Sequence, residues 1–371
     1  MNDRSDAWKA ARRILCVRLD TLGDVLMTTP ALRALKESGA GRSITLLTSP
    51  RGAEVAPFIP EVDDVRTYDA PWMPSGRART GSDRDLELAA ELRRRRFDAA
   101  VIFTVYSQNP LPAALLCYLG EIPLRLAHSR ENPYSLLTDW VPEPEPDIFV
   151  RHEVRRQLDL VKTVGSRTDD ETLSFRVPRE AVHQARALLK RMGIDPARRN
   201  WVIIHPGASA PSRRYPAESY LAVAARLRAL GYEIVFTGTE EEAPLVERIR
   251  KDMGVPSHSL VGQLAVAELG GVLAQASVLI TNNTGPVHIA SALGTPVVDL
   301  YALTNPQHAP WGTPSRVLSH DVPCKYCYKS VCPEGHHNCL RLVTPDQVIQ
   351  ATRELLAGSG RPGSVLESAP S

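Results

Sequence analysis

Short apolar runs alternate along the chain with longer segments of helical period. Ile14-Leu15-Cys16-Val17 predicts a strand, and Leu32 to Lys36 follows helical spacing, with Pro30 read as the helix start. Ile44-Thr45-Leu46-Leu47, ended by Ser49-Pro50, and Val65 to Tyr68 predict two further strands. Leu86 to Arg96 reads as a helix, Ala99 to Thr104 as a strand and Pro112 to Leu119 as a helix. The arginines from Arg93 to Arg96 read as solvated cations that complement the helix dipole, not as a nucleic-acid or lipid patch. The alternation then pauses. Pro142-Glu143-Pro144-Glu145-Pro146 is expected to be a surface loop, His152 to Val164 and Val182 to Met192 are expected helices, and polar, turn-rich Pro196-Ala197-Arg198-Arg199-Asn200 is the expected hinge.

The second half restarts the pattern. Strands are predicted at Trp201 to His205, Glu233 to Thr237, Val278 to Thr281 and Val297 to Tyr301. Helices are predicted at Ala217 to Leu230, Pro244 to Asp252, Leu264 to Gln275 and Val287 to Leu293. A repeated βαβα pattern predicts an α/β protein with parallel sheets covered by helices on both faces. In such folds ligands bind at the carboxyl ends of the strands, and two halves joined by a hinge place the ligand in the cleft.

Composition narrows the class. At 371 residues, two domains are expected. Lys plus Arg is 44 against 42 Asp plus Glu, a net charge of +2, which is too balanced for a dedicated nucleic-acid binder. With 43% hydrophobic and 23% charged residues, the chain reads as a soluble globular protein. Met1 to Arg13 has no apolar stretch of a secretory signal. The charge-free windows Ala99 to Gly120 and Leu269 to Val298 are interrupted by Ser107-Gln108-Asn109-Pro110 and by Asn282-Asn283-Thr284-Gly285-Pro286, so neither reads as a membrane span. A cytoplasmic protein is expected, and surface association with a membrane is compatible with this reading.

Three constellations carry chemistry. The first runs from Arg18 through Asp20, Thr21, Gly23 and Asp24 to Pro30, at the carboxyl end of the first strand. Gly23 lets the backbone approach a ligand closely, and Asp24 serves equally as a helix cap or as a general base. No GxGxxG dinucleotide fingerprint is present. The second is His205-Pro206-Gly207-Ala208-Ser209-Ala210-Pro211-Ser212-Arg213-Arg214, a strand end followed by a loop with hydroxyls and two arginines, suited to an anion. The third is Asn282-Asn283-Thr284-Gly285-Pro286-Val287-His288, where amides at a helix start would meet a phosphate. His288 reads more readily as a packed structural histidine than as a catalytic one.

These segments (RLDTLGDVLMTTPALRALKES at 18–38, HPGASAPSRRYP at 205–216 and TNNTGPVHIASALGTPVV at 281–298) resemble glycosyltransferase family 9, the ADP-heptose:lipopolysaccharide heptosyltransferases and their relatives. The resemblance covers most of residues 12–355. It implies a GT-B fold, α/β, with two Rossmann-like domains whose parallel sheets face a central cleft. Residues 1–195 would form the acceptor domain, 196–357 the nucleotide-sugar domain and 358–371 a disordered tail. It implies inverting transfer of a heptose or related sugar, ADP-heptose being the expected donor, to a lipopolysaccharide core or other surface glycan. No metal would be needed for transfer, no nucleic acid is an expected partner, and the enzyme would work at the cytoplasmic face of the inner membrane.

By this resemblance Asp24 matches the general base. Gly23, Ser209, Arg213, Asn283, Thr284 and Gly285 match the donor site, with Arg213 where the family usually has lysine and Asn283 where studied heptosyltransferases have aspartate. Glu240, Glu241 and Glu242 follow a strand, and they read equally as a solvated helix start or as the source of one carboxylate that holds the ribose. The alternatives are a UDP-sugar 2-epimerase of GT-B shape, which the LGDVLMTTPAL segment argues against, and a nucleotide-sugar- or metal-binding protein without turnover.

Cys324, Cys327, Cys332 and Cys339 crowd one C-terminal segment. In a reducing compartment four close thiols favour a metal over disulfides. A structural zinc is the simplest expectation, and an iron–sulfur cluster uses the same ligands.

Overall fold

Strand β1 (Arg13–Arg18) is buried along its whole length past Arg13, as expected of a parallel strand covered on both faces. The computed structural model describes residues 2–74, 80–198 and 200–358. The chain forms two units, one of residues 1–178 with 306–312 and one of residues 179–305 with 313–371.

In the first unit, α1 (Asn2–Ala10) precedes β1, followed by α2 (Leu22–Glu37), β2 (Ser43–Thr48), α3 (Pro50–Ala53), β3 (Asp64–Thr67), α4 (Asp83–Arg95), β4 (Ala99–Ile102), α5 (Leu111–Leu119), β5 (Leu124–Ser129), β6 (Asp139–Pro142) and α6 (Glu153–Lys162). All pairings are parallel, in the order β3-β2-β1-β4-β5-β6. This is a doubly wound sheet, and its order reverses between β1 and β4, where such sheets place their ligands. One core face joins Leu15, Val17, Ala100 and Ile102 of the sheet to Leu92 and Leu116 of the covering helices.

The second unit contains α7 (Arg179–Arg191), β7 (Trp201–His205), α8 (Ala217–Ala229), β8 (Glu233–Phe236), α9 (Ala243–Met253), β9 (His258–Ser259), α10 (Val266–Leu273), β10 (Leu279–Asn282), α11 (Gly285–Ala292), β11 (Val297–Leu300), β12 (Ser315–Leu318), α12 (Asn338–Arg341) and α13 (Pro345–Gly358). Its sheet, β12-β11-β10-β7-β8-β9, repeats the first topology, with the reversal between β7 and β10. Val202, Ile204, Phe236, Ile280 and Val298 pack against Tyr220, Val223 and Leu227 of α8.

Several expectations are corrected. The helix after β1 starts at Leu22, not Pro30, and Pro30 lies inside it. The proline has no N–H for the Leu26 carbonyl, and Thr29 Oγ1 donates to that oxygen instead at 2.7 Å. Strands β5 and β6 fill the stretch where the pattern had paused. Arg125 and His128 on β5 are buried, which breaks the apolar run that marks a strand in sequence. Arg125 is accommodated because its guanidinium donates to the carbonyls of Leu136 and Ser135, each at 2.7 Å.

The proline–acid stretch is not a solvated loop. Glu145 is fully buried, and with Glu143 it holds the buried Arg156. The units divide after Pro178, not at residues 195–196, because α7 packs on α10 in the second unit. A Cβ built on Gly271 of α10 would lie 2.5 Å from the Ala181 carbonyl, so only glycine permits this approach. The expected tail lies outside the described residues except for Gly358, which ends α13.

Candidate active site

The turn after β1 is organised by Arg18. Its side chain is buried and pairs with Asp20 at 2.9 Å, with Asp24 at 3.3 Å and with Glu153 of α6 at 2.7 Å. Burial alone would depress this guanidinium, but the three carboxylates outweigh burial and raise it. Gln157 donates to Glu153 at 2.6 Å and to the Thr104 carbonyl at 3.0 Å, which anchors the network at the end of β4. Gln108, from the same loop, donates to Asp20.

The two oxygens of Asp24 have different partners. Its Oδ2 accepts from the Thr21 amide at 3.1 Å and from the Thr21 hydroxyl at 2.7 Å, so it caps α2. Its Oδ1 faces Arg18, and His308 Nε2 lies 4.0 Å away. Burial pushes the carboxyl up, but Arg18, His308 and the Thr21 hydrogen bonds prevail and hold it down at about 2. Asp20, also buried and crowded by Asp24 and Glu153, is pushed up to about 6 against the pull of Arg18. Gly23 is buried in the first turn of α2. Beside Asp20 a small hollow is lined by Trp72, Met73, Phe103, Gln108 and Asn109.

The second unit places its candidate residues around the β7/β10 reversal. Asn282, fully buried, donates to the carbonyls of Pro206 at 2.7 Å and Gly207 at 3.2 Å and accepts from the Tyr215 amide at 2.9 Å. This one side chain therefore ties the loop after β7 to the end of β10. Thr284 is the N-cap of α11, and it and Gly285 are partly accessible. Arg213 is half-buried and Arg214 exposed. Among the described residues neither has an acidic partner, and Arg214 Nε donates to the Ala208 carbonyl at 2.8 Å. Ser209 is exposed on the same loop.

Asn283 is 6% exposed, and its Nδ2 donates to Asp299 Oδ2 at 2.9 Å. Burial raises Asp299 to about 8 against that hydrogen bond, so its carboxyl is mostly protonated at neutral pH. Of the three glutamates, Glu242 is turned inward. Its carboxylate accepts from the Thr239 amide at 2.8 Å, approaches His205 at 3.7 Å and lies where a Cβ on Gly207 would be 1.8 Å away. His288 is buried one turn into α11.

The sequence profile of Glycosyltransferase family 9 (heptosyltransferase) matches residues 86–338. The chain belongs to this family. It is a glycosyltransferase with the GT-B type of fold. Lipooligosaccharide heptosyltransferase 2 of Haemophilus ducreyi is 25% identical over 360 residues, spanning 93% of this chain and 99% of the relative. The structure of E. coli ADP-heptose lps heptosyltransferase II superposes with a TM-score of 0.71 at 21% identity, over 93% of this chain and 98% of the other. The iron-containing dodecameric glycosyltransferase TibC from enterotoxigenic E. coli H10407 gives 0.54 at 16% identity, over 93% and 76%. Family membership favours transfer over epimerisation.

In this family 9 enzyme the cysteine segment is tied to the loops after β7 and β11. Ser212, next to Arg213, donates its amide to the Ser330 carbonyl at 3.0 Å and its hydroxyl to the Lys329 carbonyl at 2.7 Å. The Tyr326 and Tyr328 amides donate to the carbonyls of Leu303 and Thr304 at 2.6 and 2.9 Å. Both tyrosines, which flank Cys327, have left-handed backbones with φ of 61° and 53°.

The expected four-thiolate ligand set is not assembled. Among the described residues no group of three or more His, Cys, Asp or Glu side chains could hold a metal ion. The thiols do lie near one another. Cys339 is raised by burial and by Cys332, Cys324 and Cys327, and Cys324 Sγ is 3.9 Å from His336 Nε2. The backbone bonds that dock this segment hold the cysteines in one neighbourhood.

Sequence reasoning assigned no role to Arg18, Glu153, Gln108 or His308. Arg18 stood inside the quoted segment, but nothing local marks Glu153 or His308, which reach the site only through tertiary packing.

Proposed function

We propose that this family 9 enzyme moves a heptose or related sugar from a nucleoside diphosphate donor, ADP-heptose first among candidates, to a lipopolysaccharide core or other surface glycan, with inversion. The observation that carries the reading is the contrast in charge between the two strand-end sites. A fixed, ionised carboxylate, Asp24, stands in one. In the other, Asn282 ties the strand that leads into α11 to the loop carrying Arg213 and Arg214, which have no acidic partner among the described residues. The acceptor oxygen attacks the anomeric carbon, and Asp24 takes its proton. The bond from that carbon to the diphosphate oxygen breaks, and the leaving group departs with the electron pair. Arg213, Ser209, Thr284, Gly285 and the α11 dipole stabilise the charge that develops. A guanidinium and a helix terminus are suited to the charge-neutralising role that a metal has in other transferases. We assign Asn283 to the sugar hydroxyls and, of the three glutamates, Glu242 to the ribose.

Incubation with ADP-heptose and a glycan acceptor tests the reading. Release of ADP that depends on acceptor, with a β-to-α or α-to-β change at the anomeric centre, is the expected result. Interconversion of donors without acceptor would mean epimerisation, and tight donor binding without turnover would mean a binding protein.

Two finer readings accompany it. Among the described residues no helix is long and apolar enough to cross a membrane. The run Ile148-Phe149-Val150 is nonetheless exposed, with Arg151 over the Phe149 ring, which supports peripheral attachment to the cytoplasmic face of the inner membrane. Co-sedimentation with anionic vesicles, lost on replacing Ile148 and Phe149 by serine, tests this. We infer that a structural metal, zinc or an iron–sulfur cluster, would draw Cys324, Cys327, Cys332 and Cys339 together from the one neighbourhood they share and close the segment behind Ser212. Metal analysis of anaerobically purified protein decides, and metal-free protein with unchanged melting would remove the assignment.

A further inference from the structure

The chain leaves the second unit after β11 and contributes Pro306–Gly312 to the first. That segment is tied down on both sides of His308. The Gln307 carbonyl accepts from the Glu153 amide at 3.0 Å, and the Ala309 carbonyl lies 2.9 Å from His152 Nε2. Trp311 packs on the His152 ring with centroids 4.6 Å apart and donates to the Glu171 carbonyl at 2.7 Å. These contacts present His308 to Asp24, with Nε2 4.0 Å from Oδ1 and side-chain exposures of 12% and 14%.

We propose that His308 is the second half of the base: Asp24 Oδ1 draws the proton from the acceptor hydroxyl, and His308 Nε2 receives it. This rests on the reading that Asp24 serves as the base. The geometry allows it. Thr21 occupies Oδ2, so Oδ1 is the oxygen turned toward the imidazole. A hydroxyl oxygen can sit about 2.8 Å from both atoms across such a gap. Chemistry asks for it as well. A carboxyl held at about 2 keeps a proton poorly, whereas an imidazole ordinarily binds one near pH 6.5.

The balance is simple. The acceptor O–H bond breaks as the C–O bond forms, the sugar–phosphate bond breaks with its electron pair leaving on the nucleoside diphosphate, and the proton passes to His308 and then to water. The charged groups facing His308 are Asp24 of α2, with Arg18 and Asp20 behind it, and His152 and Glu153 at the start of α6. Arg155 lies over the neighbouring Trp311.

The test uses the full chain with donor and acceptor. In wild type, kcat should rise with pH as the imidazolium loses its proton. His308→Gln and His308→Asn should lose that limb and lower kcat roughly 10²-fold, with ADP affinity and KM nearly unchanged. Independently of turnover, the NMR titration of the His308 ring should move to lower pH in Asp24→Asn, since the carboxylate favours the charged ring. Both substitutions retaining kcat and the acid limb, or a ring titration indifferent to Asp24→Asn, would overturn the proposal. A wild-type protein that transfers nothing would instead sink the reading of function, and the NMR comparison would still decide whether the pair exists. If His308→Gln fails to fold, His308→Asn and the Asp24→Asn titration carry the test.

Discussion

The two sheets share one strand order, yet the polar sites at their reversal points are built on opposite principles. After β1, charge is concentrated: one buried guanidinium faces Asp20, Asp24 and Glu153. At the end of β10 the polar groups are uncharged: Asn282 and Asn283 stand there, and burial raises the Asp299 carboxyl so that it is mostly protonated, while the Glu242 carboxylate stands apart against His205. Under the proposed function, the difference follows from what each site would handle. A base must stay ionised and fixed, and a crowd of opposite charges achieves both. A diphosphate carries its own negative charge, so a carboxylate in its cradle would oppose it, while amides, a helix N-terminus and arginines attract it. Asparagine at 283, which donates to the Asp299 carboxyl, is itself uncharged.

The largest effect is expected from removing the ionised oxygen on the charged side. Asp24→Asn keeps an acceptor for the Thr21 amide, so folding should survive while kcat falls roughly 10³-fold or more with ADP affinity intact. Equal loss of ADP affinity, read by calorimetry, would make Asp24 part of the donor pocket and erase the contrast. Next, Arg18→Leu strips three carboxylates of their common partner and should cost about 3–5 kcal/mol in denaturant unfolding. A midpoint within error of wild type would mean the charges are not mutually dependent.

Arg213→Ala should weaken ADP binding roughly tenfold, since one charge-assisted hydrogen bond is worth about 1.5 kcal/mol. An unchanged dissociation constant would remove Arg213 from the cradle. The last prediction tests the neutral side directly, at Asp299. Its folded carboxyl, near 8, holds a proton that the unfolded chain gives up near pH 4. The folded state therefore binds more protons in that window, and stability falls as pH rises from about 4 to about 8, then levels. Asp299→Asn should abolish this slope in thermal melts and be the more stable form at pH 8. A slope that persists in the variant would show that Asp299 is ionised in the fold.

Much of this was readable in the chain. The strands after which the sites form, the segment carrying Asp24 and the Asn-Asn-Thr-Gly-Pro helix start are local patterns, and local patterns follow from period, caps and turn chemistry. Even the helix start at Leu22 was within reach, because Thr21 and Asp24 have the spacing of a capping box. Pro30 was misleading because its lost hydrogen bond is repaired by Thr29, one residue before it. The buried β5 escaped detection because Arg125 and His128 look like surface residues until the carbonyls that satisfy Arg125 are known.

The chain by itself determined the doubly wound alternation, the family and the position of the candidate base. These depend on residues close together in sequence. Only the tertiary structure decided that Glu153 completes the Arg18 network, that Glu143 and Glu145 turn inward to Arg156, and that His308 returns to stand beside Asp24. Such pairings join segments far apart along the chain. Their energy comes from charges that share a low-dielectric neighbourhood, and no sequence period records which charges will meet there.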